Sequence, residues 1–442
     1  MSGGDFQDRE VQTIAMMTQS PDRDSNSSAS STSWPWASTT SPASSVSSVP
    51  TPSKLVKLFD SSFSYPIFSN IMNELNFQDI ARLSFTSKAF AHLPQEVIDL
   101  ECDVDRMLRR WFRDPIQTRT VMAQQNAVIG SHFATSLFSR QFDTAAVRFY
   151  VKQGSQSNAL EEYFKSEGYE ECKKPESSPE SRRKKFMKPS SPWFLVEMRL
   201  CSTSPIAAFL AAINTTHLLN LVTSHRAYSL FPKSSFVHKM SFIARDITND
   251  SVQHAIARYS YLGYDFQPVI WNTSPLPYTR EITSPRRFGD KYTWVMEFDN
   301  TDIPDPVCPQ SVIESTCFRL SVTPDPTLFG ERQQNYASSR YRLSCSSFKS
   351  CVLKYTYTFG CSQWRAYIGA RVDALTKIEI CKILAKDRPN LDLTRKRDFY
   401  LLEGSFEKPA HWKCYDHLIR EWWEEWVKDN HPSEASANDR CS

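Results

Sequence analysis

The chain has 442 residues, 40% hydrophobic and 23% charged, with a formal net charge of +3. This balance suits a folded protein rather than a disordered or membrane-embedded one. The charge is too small to imply a general nucleic-acid or anionic-membrane surface, so neither partner is expected.

No run of about 18 apolar residues is present to span a bilayer. The N-terminal residues lack the charged and apolar regions of a secretory signal. Eleven cysteines occur, an odd number without a CxxC pair. They read as reduced thiols in an intracellular protein, cytoplasmic or nuclear. No Walker A loop, HExxH helix or GxSxG elbow appears, so no cofactor or metal is expected.

In chain order, residues 1–53 are rich in Ser and Thr, with one apolar cluster at Trp34-Pro35-Trp36. Such a segment cannot offset its ordering entropy and reads as a disordered tail. A second short tail is expected over 431–442.

Residues 54–100 form the first expected module. Its central run is SSFSYPIFSNIMNELNFQDIARLSFTSKAFAHL, starting at Ser61. Ile67, Phe68, Ile71, Met72 and Leu75 recur at helical spacing and form one apolar stripe. Pro66 fits a first helical turn, where a missing N–H loses no bond. Asn76 is expected to end this helix, and Gln78-Asp79 to open a second with Ile80, Leu83 and Phe90 on its stripe. Two short helices this apolar must pack on the chain or on a partner.

The spacing of Ile67-Phe68, Ile71-Met72, Leu75, Asp79-Ile80, Leu83, Thr86-Ser87-Lys88 and Phe90 resembles an F-box. The family usually has Trp where Phe90 stands, and Leu-Pro where Phe63-Ser64 stands. The resemblance implies docking of Ile67, Phe68, Ile71, Met72, Leu75, Ile80, Leu83 and Phe90 onto a Skp-type adaptor of a cullin–RING ubiquitin ligase. The rest of the chain would then present a surface to a protein substrate. An ordinary helical hairpin capping the main domain is the alternative.

Residues 101–300 read as a mixed α/β domain with a helical stretch near 103–112. A strand over 127–129, a Gly130-Ser131 turn, a helix over 132–138, a strand over 147–151 and a helix over 157–166 follow. That order resembles the core of nucleotidyltransferase-fold domains in uncharacterised fungal proteins. The runs Asn214-Thr215-Thr216-His217-Leu218-Leu219-Asn220 and Ala227-Tyr228-Ser229-Leu230-Phe231-Pro232 also resemble that family, as does the 286–294 run RRFGDKYTW. A helix is expected over 250–262. His217 and Asn220 read as structural.

In that family the Gly-Ser turn holds phosphate oxygens at a helix start. An Asp-x-Asp pair on the second strand binds the divalent metal that activates the attacking oxygen. The matching positions here are Ala146-Val147-Arg148, and Asp143 falls before the strand. Loss of both carboxylates implies a catalytically degenerate scaffold rather than an enzyme. The alternative is a nucleotide-binding or active nucleotidyltransferase-like enzyme using Gly130, Ser131 and Arg148.

Residues 173–192 combine Pro, Ser and the basic run Arg182-Arg183-Lys184-Lys185, and read as a basic loop or linker. The basic run is a solvated charge cluster, or alternatively a nuclear signal.

From 301 to 430, alternation over 318–322, 341–345 and 352–357 predicts antiparallel strands. A helix is expected over 412–428, its face of Trp412, Tyr415, Leu418, Ile419, Trp422, Trp423 and Trp426 buried on the parent domain or set against a partner. His411, Cys414 and His417 fall at i, i+3 and i+6 there, but a zinc site needs a fourth ligand. The expected class is α+β: an N-terminal helical F-box-like module, then a mixed α/β nucleotidyltransferase-like domain with additional antiparallel strands and a C-terminal helix.

Overall fold

Helix starts in the first folded stretch are written in its short polar side chains. The computed structural model describes residues 54–140, 144–172, 182–245, 250–267, 269–270, 281–282, 284–324, 339–384, 386 and 408–430. The tails expected over 1–53 and 431–442 lie outside them. Two units divide the chain, residues 1–98 and 99–442.

In the first unit, α1 spans Lys54–Leu58 and α2 spans Ser61–Glu74. The Asp60 carboxylate accepts from the Ser62 N–H at 2.9 Å and starts α2. Ser64 leaves the helical region at φ −157° and ψ 86°, so the helix restarts there. Pro66 thereby falls in a first turn, where its missing donor and fixed φ are tolerated.

One expectation needs correcting. Asn76 does not end α2, because Leu75 closes it by donating its N–H to the Met72 carbonyl. Asn76 instead caps α3, Phe77–Thr86, its side-chain oxygen accepting from the Asp79 N–H at 3.0 Å. Asn is favoured before a helix for that reason. Ser87 starts the 3₁₀ turn Lys88–Phe90 in the same way, and α4, Leu93–Glu101, follows.

In the second unit, α5 is Val104–Leu108 and α6 is Pro115–Gln125. The expected strand–turn–helix–strand–helix order is present as β1 Val128–Gly130, α7 His132–Ser139, β2 Ala146–Lys152 and α8 Ser155–Ser166. Next come β3 Glu170–Glu171, β4 Arg183–Lys188 and β5 Ser191–Cys201. The expected basic loop over 173–192 is therefore corrected in its described part. Phe186 is fully buried between exposed Lys185 and Met187, a strand alternation that the Pro- and Ser-rich flank obscures. Lys184 bonds Glu161 at 2.6 Å rather than standing alone in solvent.

The chain continues through α9 Pro205–Ala212, β6 Asn220–Val222, β7 Arg226–Ser229, β8 Met240–Phe242, α10 Asp250–Tyr261, β9 Asp265–Gln267, β10 Val269–Ile270, β11 Arg286–Arg287 and β12 Trp294–Glu297. After these come α11 Gln310–Glu314, β13 Cys317–Pro324, β14 Ser339–Ser344, β15 Ser346–Phe348, β16 Tyr357–Phe359, α12 Ser362–Cys381 and α13 Leu418–Asn430. The class is mixed α and β. Its main sheet has eight strands in the order β12-β7-β6-β1-β2-β5-β4-β3. β2 and β5 run parallel there, and the other neighbouring pairs run antiparallel.

A second sheet orders β10-β14-β13-β11. It shares its core with the first: Phe318 meets Phe231 at 6.0 Å, and Tyr341 meets Phe242 at 4.9 Å between ring centroids. Strands β13 and β14 thus complete the preceding core, while Phe348 of β15 and Tyr357 of β16 join Trp364, Trp423 and Trp426 in a second core.

The family-like runs turn out to be structural knots. Arg286 is fully buried; it donates to the Asp290 carboxylate and to the carbonyls of Glu281 and Leu230, at 2.9 and 2.8 Å. Asn220 donates to Thr135 Oγ1 at 2.8 Å and to the His217 carbonyl at 2.7 Å, tying β6 to α7. His217 is fully buried against Tyr259 and Tyr264, with Nδ1 2.7 Å from Ser241 Oγ.

The C-terminal stretch departs from expectation in three places. Residues 352–356 are not a strand, and the long helix α12 follows where none is predicted. The last helix starts at Leu418, not Trp412. Residues 412–416 instead clasp the 350s. The Asp416 carboxylate accepts from the N–H groups of Lys354 and Tyr355 at 2.9 and 3.1 Å, and Tyr415 N–H donates to the Val352 carbonyl. Trp423 and Trp426 are buried against Trp364, at 5.0 and 5.5 Å, so the aromatic face packs on its own unit.

Candidate functional site

In the first unit the eight expected docking residues divide. Phe68, Met72, Ile80 and Phe90 are between 0 and 6% exposed. They form interior rather than contact surface, which corrects their expected role. The reason is helical phase: Phe68 and Met72 are four apart on one inward stripe, and Phe90 meets the Phe59 ring at 5.1 Å. Ile71, Leu75 and Leu83 are half-buried, and Ile67 is 43% exposed. The stripe rule missed Phe63, Tyr65 and Phe85, which are 61, 43 and 47% exposed. The break at Ser64 is what frees Phe63 from the helix phase that follows.

In the second unit, strand register brings the expected nucleotide residues together. β1 pairs with β2 through Val128–Tyr150 and Ile129–Phe149, so the same register continued sets Gly130 beside Arg148. Arg148 pairs in turn with Glu197 on β5, and Glu197 with Lys185 on β4. One row across four strands thus holds Gly130, Arg148, Glu197 and Lys185.

Each expected phosphate-binding group has a structural task in this row. A Cβ on Gly130 would come within 2.6 Å of the Phe209 ring and 3.2 Å of the Tyr150 ring, so glycine is needed for packing. Ser131 sits at φ 68° and donates its N–H to the Asn220 carbonyl at 3.1 Å. Arg148 Nε donates to Glu197 Oε2 at 2.9 Å, and Arg199 Nε to Glu197 Oε1 at 3.1 Å.

The electrostatics follow from that clamp. Burial pulls the Glu197 carboxyl upward, but the flanking Arg148 and Arg199 outweigh it and hold the group below its ordinary range. Burial and the charges of Arg258 and Arg148 push His132, whose Nδ1 is 2.8 Å from Tyr259 Oη, down to about 3. The cluster therefore offers a clamped carboxylate and a neutral imidazole at neutral pH. Sequence reasoning missed Glu197 and Arg199, although two charges at i and i+2 within the apolar run WFLVEMRLC mark a polar strand face.

Among the described residues no cluster of three or more His, Cys, Asp or Glu could hold a metal ion. His411 and Cys414 are exposed and precede α13. The ten cysteines of the described residues are free, and no described helix is long and apolar enough to cross a membrane. Neither a family model, a curated protein nor a solved structure matches this chain.

Proposed function

We propose that the chain is an F-box-like interaction protein: the module at 54–100 docks onto a Skp-type adaptor of a cullin–RING ubiquitin ligase, and the larger unit recruits a protein substrate. The observation that supports this reading is that Ile67, 43% exposed, continues at helical spacing into half-buried Ile71 and Leu75, and that Phe63, Tyr65 and Phe85 are also exposed on the same two helices. Single exposed apolar side chains are ordinary, whereas four large ones within 23 residues, one of them heading an apolar helical stripe, suit a docking segment. The larger unit serves as a catalytically degenerate nucleotidyltransferase-like scaffold, working in the cytoplasm or nucleus. Ala146 and Arg148 stand where carboxylates would hold metal, and Arg148 is engaged by Glu197.

Co-purification of the full chain with the adaptor tests the reading. The wild type retains the adaptor, and Ile67→Asp combined with Phe85→Asp releases it while the melting temperature is preserved, since both side chains are exposed. A wild-type chain that fails to retain the adaptor removes the ligase reading.

A further inference from the structure

Two acids crowd one buried arginine where the two large sheets meet. Arg286 is fully buried, and its guanidinium lies over the rings of Phe231 and Phe318 at 5.3 and 5.5 Å. Asp290 already balances its charge, accepting from Nε and from a second N–H at 3.0 Å. Asp290 is fixed in turn by the N–H groups of Arg287 and Tyr292, at 3.1 and 3.0 Å. Glu281 is the second acid. It is 4% exposed, and neither carboxylate oxygen closes a hydrogen bond. The charged groups that face it are Arg286, Lys233 from the π-helical turn Lys233–Val237, and Asp290, with the Ser234 N–H close by. Arg286 holds the Glu281 backbone carbonyl instead, at 2.9 Å. Next to it, Ile282 is 2% exposed and belongs to the same core as Leu230, Phe231, Phe288 and Phe318.

We propose that Glu281 and Ile282 form a proton-controlled latch at this corner: protonated Glu281 keeps it shut, and loss of the proton opens it locally while the rest of the chain stays folded. A carboxylate here would be a buried charge without hydrogen bonds, which costs far more than the neutral acid does. Arg286 offers little relief, because Asp290 holds its fork. Water is the remaining source of donors. Turning the carboxylate out to it breaks the bond from Arg286 to the Glu281 carbonyl and withdraws Ile282 from the core. The opening stays confined, because Arg286 keeps Asp290, the Leu230 carbonyl and Thr293 as partners. Burial holds the Glu281 carboxyl up to about 7, so the latch responds on the approach to neutral pH.

Hydrogen exchange of the full chain between about pH 5 and pH 8, corrected for the intrinsic rate, tests this. The N–H groups of Ser234 and Ser235, both buried beside the latch, are the reporters. With an open-state value of 4.5 and a closed one of about 7, their opening constant should rise about fortyfold between about pH 5 and pH 7, then level off. About 1 M urea should leave it unchanged, as expected of an opening that exposes little surface. Glu281→Gln abolishes the rise. Glu281→Met, equally uncharged, does the same should the amide impair folding, and a melt at about pH 5 verifies each fold. The proposal is overturned if wild-type exchange shows no rise, or if a folded variant keeps it. It is also overturned if the rise appears only through urea-sensitive, global unfolding.

Discussion

Arg148 Nε lies 2.9 Å from Glu197 Oε2, across the parallel pairing of β2 with β5. The arginine side chain is 23% exposed, and the acid it pairs with is 5% exposed. A charge clamp of Arg148 and Arg199 on Glu197 ties β2 to β5 here.

That clamp has a pH signature. Glu197 titrates below its ordinary range in the folded chain, so its stabilisation is fully present above the unfolded value near about 4.3 and is lost as pH falls through the folded value. Glu197→Gln should flatten this acid-side loss in denaturant titrations between about pH 5 and pH 2. Arg148→Ala should lower stability by about 2 kcal/mol at pH 7, since Arg199 still pairs with the carboxylate. An unchanged acid limb for Glu197→Gln would contradict the clamp.

Glu281 works with the opposite sign. Burial pushes its carboxyl up to about 7, only partly offset by Arg286, the Ser234 N–H and Lys233, with Asp290 adding to the rise. The folded chain then holds a proton that the unfolded chain has released, so stability falls as pH rises from about 4.5 to about 7. Glu281→Gln should remove that decline and add roughly 3 kcal/mol at pH 8, with little change at pH 4. Chemical denaturation at the two pH values measures it.

Gly130 answers to packing. Gly130→Ala should destabilise by about 1–3 kcal/mol, because the new methyl meets the Phe209 and Tyr150 rings. Adding Phe209→Leu should recover part of that loss. No recovery in the double variant would mean that the close approach is not the cause.

The nucleotide reading makes a separate prediction. A ligand at about 100 times its dissociation constant would add roughly 2.7 kcal/mol. With the Ser131 N–H committed to Asn220 and Arg148 to Glu197, ATP or CTP with magnesium should leave the melting temperature unchanged. A clear rise would favour a nucleotide-binding enzyme over a scaffold.

Local signals made much of the fold legible. The Gly130-Ser131 turn, the helices on either side of β2 and the Gly263 stop after α10 all follow from turn chemistry and periodicity. What escaped depends on distant partners. β4 reads as a basic loop until β5 supplies its hydrogen bonds, and α12 follows strands with little apolar periodicity of its own. Residues 412–416 look helical but are drawn off by the 350s, where Asp416 gathers three donors. The candidate surfaces were legible only by residue type. Ile67 and Phe68 are neighbours in one apolar stripe, yet phase leaves one 43% exposed and the other fully buried.

The most direct test of the adaptor claim is a titration of the full chain with a purified Skp-type adaptor, followed by calorimetry. Saturable one-to-one binding that weakens at least about a hundredfold in Ile67→Asp/Phe85→Asp, with an unchanged melt, is the predicted result. No heat of binding from a folded wild-type chain, or equal affinity in the double variant, would contradict it.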